Sequence, residues 1–221
     1  MRGALEDKHL NHEAGQASDE AASRVDSRSR PRVTPLALDR LVAQGQQLQQ
    51  GGRLKEASEA YRRILAVDPD HAEAYHLLGL LMHQVGSNAE AAELIGKAVA
   101  LAPGDATYRS NLGVVLKEAG RLEEAVISYE AALRIDPGLA QTHSNLGVAL
   151  LGLGRVEDAI AAQHRALALM PDYSQAHANL GLALVEAGRI EEAVESYHRA
   201  IALKPDYANA HNHLGAALKA L

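Results

Sequence analysis

Three asparagines, Asn111, Asn145 and Asn179, stand 34 residues apart, each inside the same tripeptide Asn-Leu-Gly. A carboxamide carries two donors and an acceptor, so a row of them could hold the backbone amides of an extended polypeptide while remaining largely indifferent to its side chains. Three histidines, His143, His177 and His211, share a second register with the same step. Imidazoles in register invite a metal or proton-relay reading. Equivalent residues one helix pair apart are separated by roughly 8–10 Å, however, whereas the ligands of one zinc must each come within about 2 Å of it. The histidines are therefore read as packing groups near a helix seam. His211 and His213 face different sides of a helix and form no chelate.

Other chemistry is absent from the sequence. Gly152-Leu153-Gly154 lies between helical segments, without the preceding strand and third glycine that a phosphate loop needs. The chain has no Cys, which removes disulfides, thiolate metal sites and cysteine nucleophiles. Neither HExxH nor GxSxG occurs. No catalytic residue, cofactor or metal is expected, and the chain is not read as an enzyme by itself.

The elements that must position the asparagines follow from the same period. Pro69, Pro103, Pro137, Pro171 and Pro205 are 34 residues apart; so are Gly79, Gly113, Gly147, Gly181 and Gly215, with Gly45 before them; so are Ala91, Ala125, Ala159 and Ala193, with Ala57 before them. A period of this length marks an array of supersecondary units. Within one unit, Leu112, Val115 and Leu116 have helical spacing, Gly120 supplies a left-handed residue, and a second periodic run reaches Ile135. Pro137 then stops the second helix. Asp70, with Glu73 three residues later, suggests a capping box for the next unit. Glu123-Glu124 and Glu191-Glu192 suit the positive ends of second helices. The repeated glycines and alanines, joined by Ala98, Ala132, Ala166 and Ala200, mark places where helices approach closely.

At about 100° per residue, Arg109, Leu112, Gly113 and Leu116 form one arc of the first helix. Thr107, Asn111, Val114 and Glu118 form another, nearly opposite, so the asparagines point away from the buried seam. They either form a binding ladder or are neutral polar residues tolerated on an exposed face and copied when repeats duplicated. Asn is a mediocre helix former, which argues for a purpose, but repeat duplication copies a useless Asn just as faithfully, so both readings stand.

Composition agrees with helices: 47% of the 221 residues are apolar, Tyr is the only aromatic type, and Phe and Trp are missing. The formal charge is −6, with no basic stripe to replace the counterions of nucleic acid. The N-terminus lacks a continuous apolar segment and no long apolar run follows, so a soluble, cytoplasmic chain without membrane contact is expected. Residues 1–35 are polar and aperiodic and are read as a disordered tail, including the solvated charge run Ser27–Arg32. Residues 36–221 are read as the array, divided 38–71, 72–105, 106–139, 140–173 and 174–207, with a partial unit at 208–221.

Leu-Gly early in the unit, Ala near its middle, Tyr61, Tyr129 and Tyr197 four residues later, and a closing Pro resemble the tetratricopeptide repeat from about residue 38 onward. Gln163 and Ile95 replace that Tyr; Tyr75, Arg109, His143, His177 and His211 occupy a position usually aromatic; Gln44 replaces a Leu in a polar first unit. The resemblance implies an all-α, right-handed superhelical solenoid of antiparallel helix pairs whose first helices line a concave groove. Asn111, Asn145 and Asn179 would then face that groove, flanked by Ser110, Ser144, Lys117, Glu118, Glu186, Asn212 and His213. The Asn-Leu-Gly units look more particularly like the repeat arm of O-linked N-acetylglucosamine transferases and related bacterial glycosyltransferases. Repeats that clamp the terminal carboxylate of chaperones carry Lys and Arg where this chain has Glu73, Thr107, Gln141, Gln175, Ser110, Ser144 and Asn111, so that partner class is rejected.

The functional expectation is a scaffold for extended segments of protein partners. Its alternatives are the recognition arm of a glycosyltransferase or other modifying enzyme, and a self-association module. The last helix carries Leu214, Ala217, Leu218 and Leu221 with no second helix to cover them, which points to a homo-oligomer, to a missing C-terminal domain, or to tolerated exposed leucines.

Overall fold

The computed structural model describes residues 35–221, so the expected tail lies outside the described residues except for its last position. Eleven helices are present among the described residues, in the order α1 (Pro35–Gln50), α2 (Leu54–Val67), α3 (Ala72–Gln84), α4 (Asn88–Leu101), α5 (Ala106–Glu118), α6 (Leu122–Ile135), α7 (Ala140–Gly152), α8 (Val156–Leu169), α9 (Ser174–Glu186), α10 (Ile190–Leu203) and α11 (Ala208–Ala220). Residues Asp39–Leu221 form one compact unit. From α2 onward each helix packs on its neighbours in chain order, and successive first helices from α3 onward also touch, which makes an all-α solenoid. None of the described helices is long and apolar enough to cross a membrane.

Glycine makes the turn inside each pair. Gly52, Gly86, Gly120, Gly154 and Gly188 hold φ between 72 and 82°, a left-handed conformation that side chains resist. The Arg121 amide donates to the Leu116 carbonyl at 2.9 Å and the Gly120 amide to Lys117 at 3.0 Å, which satisfies carbonyls at the end of α5. The second helices end where a proline follows. Asp68, Ala102, Asp136, Met170 and Lys204 leave the helical region, with ψ between 71 and 98°, as a residue before proline must.

Capping differs from the expected box. His71, not Asp70, caps α3: its Nδ1 accepts from the Ala74 amide at 3.2 Å. Asp105 does the same for α5 through the Tyr108 amide at 2.9 Å. At the second helices, Glu124 and Glu192 are clasped by Arg121 and Arg189, each at 2.6 Å, which holds both exposed carboxyls below the usual range. The acids thus act on the preceding turn as well as on the helix dipole.

The seam explains the repeated glycine. A Cβ on Gly45, Gly113 or Gly181 would lie 2.4–2.6 Å from the rings of Tyr61, Tyr129 and Tyr197; on Gly79 or Gly147 it would strike Ile95 or Gln163 and crowd the Ala91 or Ala159 carbonyl. The glycine is therefore a socket for the side chain sixteen residues later, and all five occupants are fully buried. Burial pushes the Tyr129 and Tyr197 hydroxyls upward, Tyr197 to about 12, so both stay neutral. Ala57, Ala91, Ala125, Ala159 and Ala193 are completely buried at the same seam. Ala200 packs with Ala178 and Ala210, and so joins one pair to the next. Gly215 departs from the expected packing role: nothing lies within 4 Å of its would-be Cβ.

Candidate peptide-binding face

The first helices α3, α5, α7, α9 and α11 carry the asparagines and their neighbours. Asn111, Asn145 and Asn179 are each half-buried rather than free on the surface. Their neighbours explain why. The Asn111 amide nitrogen donates to His76 Nε2 at 2.9 Å, and the Asn179 amide nitrogen donates to the Ser144 hydroxyl at 3.2 Å, each spanning 35 residues. The sixth position of one first helix therefore faces the fifth position of the helix before it.

The same offset recurs two turns further along. Gln49 donates to Gln84 at 2.9 Å, and His83 Nε2 lies 3.6 Å from a Glu118 oxygen. Positions seven residues apart fall on one side of a helix, so two levels of side-chain ties run across the first helices. Each of the hydrogen bonds among them is worth about 0.5–1.5 kcal/mol. Asn145 breaks the pattern: Ser110, at the position that would receive it, is bonded to Thr142 at 2.8 Å.

His76 is buried and stacks on Tyr108, with ring centroids 4.3 Å apart. Desolvation lowers its pKa, opposed in part by the negative charge of Asp105. A neutral imidazole is what the Asn111 donor requires.

The predicted residues separate into three kinds. Ser144 is 1% exposed and backs the face instead of lining it, because its hydroxyl accepts from Asn179 and its carbonyl from Gln163 Nε2 at 2.9 Å. Ser110 and Lys117 are half-buried alongside the asparagines, whereas Glu118 and Glu186 are exposed at the far end of the helices. Asn212 and His213 are exposed on α11, where His213 lies parallel to Tyr197 with centroids 5.8 Å apart.

The histidine register has a structural task. His143, His177 and His211 place Nε2 3.1, 2.9 and 2.8 Å from the carbonyls of Pro137, Pro171 and Pro205. Arg109 reaches Pro103 in the same way, at 3.0 Å from Nη2. These side chains fasten the turn between pairs. Among the described residues no cluster of three or more metal-ligating side chains occurs.

One row escaped the sequence reading. Leu80, Val114, Val148 and Leu182 follow one another at 34-residue steps, three residues after the asparagine position, and each is half-buried. Residues three apart share a helix face, so aliphatic groups run beside the amides. The arc holding Val114 already contained this signal.

The fold and its period define a class: an α-solenoid of stacked helix pairs. The TPR repeat model matches residues 45–86, 115–154 and 181–221, and tetratricopeptide repeat models match 72–105 and 140–173. The chain belongs to the tetratricopeptide-repeat family.

Solved structures share its fold. The crystal structure of MamA is similar at TM-score 0.69 and 24% identity, over 74% of this chain and 96% of that one. MamA 41-end from Desulfovibrio magneticus RS-1 gives 0.71 and 21%, over 77% and 97%. YrrB, described as a TPR protein with an unusual peptide-binding site, gives 0.69 and 21%, over 82% and 91%. At these identities the likeness is one of fold. A search of curated proteins finds no match.

Proposed function

We propose that this protein is an interaction scaffold whose first-helix face binds an extended segment of a partner protein. The observation that carries the reading is the pairing of two rows: amides at Asn111, Asn145 and Asn179 beside the aliphatic groups Val114, Val148 and Leu182. Aliphatic groups supply contact area, while carboxamides supply donors and acceptors to a peptide backbone. Two of the three amides spend one donor on the neighbouring helix and keep an oxygen and a second hydrogen for a ligand. The peptide-binding site ascribed to YrrB supports the same reading.

Partner capture with the intact protein and with an Asn145→Ala variant tests it. Asn145 is the informative position because Ser110 is already engaged elsewhere. The expected result is an unchanged circular dichroism spectrum and loss of a defined set of captured partners. If Asn145→Ala retains every partner while Val148→Glu also changes nothing, this face is not the binding surface.

Self-association is favoured by a separate observation. Leu218 on α11 and Leu221 just after it are 51% and 63% exposed, and Gly215 lies uncovered where Gly113 receives Tyr129. A sedimentation mass that rises with concentration, and no longer does so in Leu214→Glu/Leu218→Glu, would support it.

A further inference from the structure

The second helices α6 and α8 leave a cleft of about 720 Å³ between them, with Leu146 and Leu150 of α7 contributing to its lining. None of Asn111, Asn145 and Asn179 lines it. Its apolar lining continues through Ala161 and Ala162 on α8. The neighbouring repeats carry Ile127-Ser128 and Glu195-Ser196 at these two places. Ile127 is 64% exposed, so bulk at this register stands on the surface. Alanine removes that bulk in the fourth repeat alone and opens the trough.

Among the charged groups, Arg134 is particular to this place, whereas Arg155, Asp158 and Arg165 have like-charged counterparts in other repeats. Arg134, Arg155 and Arg165 line the cleft with Glu130 and Asp158. Arg155 is paired with Asp158 at 2.7 Å. Arg199, one repeat beyond Arg165, reaches Asp172 at 3.4 Å, but the residue that would answer Arg165 in the same way is Gly138. At the register of Arg134 the other repeats carry Ala66, Ala100, Ala168 and Ala202. Two guanidinium groups are thus set on an apolar trough with Glu130 as the remaining carboxylate, although the chain as a whole is acidic.

We propose that this cleft is a second binding site, for an acidic segment of a partner protein that buries an aliphatic or aromatic side chain against Ala161 and Ala162 and sets carboxylates against Arg134 and Arg165. The volume falls within the usual range for bound ligands, roughly 300–1,000 Å³. Apolar anchors in such pockets dominate binding, and arginine matches a carboxylate in bidentate geometry. Nucleic acid would need a longer cationic track than two residues provide.

A random-peptide library selected on the intact protein, followed by fluorescence polarisation with synthetic copies of the selected peptides, tests the site. Ala161→Ile and Arg134→Ala/Arg165→Ala install residues that other repeats already carry at these registers, so folding is preserved. The expected peptides place Asp or Glu beside a large apolar residue and weaken with added salt. They lose at least about tenfold in affinity for both variants and bind Asn145→Ala unchanged. Failure to select any peptide, or equal affinity for Ala161→Ile, overturns the proposal. So does a concentration-dependent mass abolished by Ala161→Ile, which would make the occupant a second copy of this chain.

Discussion

A methyl group added at Gly113 and one added at Gly215 occupy the same step of the repeat and should change stability in opposite directions. In an exposed helix, Gly→Ala stabilises by roughly 0.5–1 kcal/mol through lost chain entropy. At Gly215 nothing opposes that gain, since no atom lies within 4 Å of the new carbon. At Gly113 the carbon would fall 2.5 Å from Cε1 and 2.6 Å from Cδ1 of Tyr129, a ring with no solvent exposure into which to retreat. Ordinary carbon contacts are about 3.5–4 Å, so the ring must yield by more than an ångström. Overpacking of this kind costs typically about 1–3 kcal/mol, which outweighs the propensity gain. Both variants share the propensity gain, so they should differ by the overpacking cost alone, about 1–3 kcal/mol.

Repeat arrays unfold in a nearest-neighbour manner rather than as one all-or-none unit, so the assay must be local as well as global. Urea unfolding followed by circular dichroism should move to lower midpoint for Gly113→Ala. Amide exchange should slow in α11 for Gly215→Ala and quicken in α5 and α6 for Gly113→Ala. Equal shifts in one direction would refute the socket argument and leave helix propensity as the only cause.

Gln163→Ile should stabilise the fourth repeat by about 1–3 kcal/mol, because it removes a buried side-chain oxygen without a hydrogen-bond partner and installs the residue type of Ile95; thermal unfolding checks it, and a lowered midpoint would show that the Gln163 bond to the Ser144 carbonyl matters more. His76 binds a proton less readily when folded than when unfolded, where its pKa is about 6.5. Its contribution is complete above that value and is lost as pH falls from there through the lowered folded pKa, where the loss levels off. The acid-side slope of stability should shrink in His76→Leu, as read by urea titrations across this window. Asn179→Ala should cost about 0.5–1.5 kcal/mol through its tie to Ser144, and Asn145→Ala less, with exchange at the α7–α9 contact as the readout.

The period by itself determined most of this architecture. Proline, glycine and alanine locked to a 34-residue step report constraints that act within a few turns of chain, such as helix stops, left-handed turns and close packing, and these survive reading in one dimension. The all-α class follows, and the helices of successive pairs recur at the same step. Helical geometry also gave an expected direction for the asparagines. What each side chain meets depends on the offset between successive pairs, which no local rule supplies. Tertiary packing alone decided that the sixth position falls opposite the fifth, turning Asn111 and Asn179 into ties and burying Ser144. It likewise gave the histidines to proline carbonyls and opened the Ala161 cleft, because a cavity is the space between two helices and belongs to neither sequence segment alone.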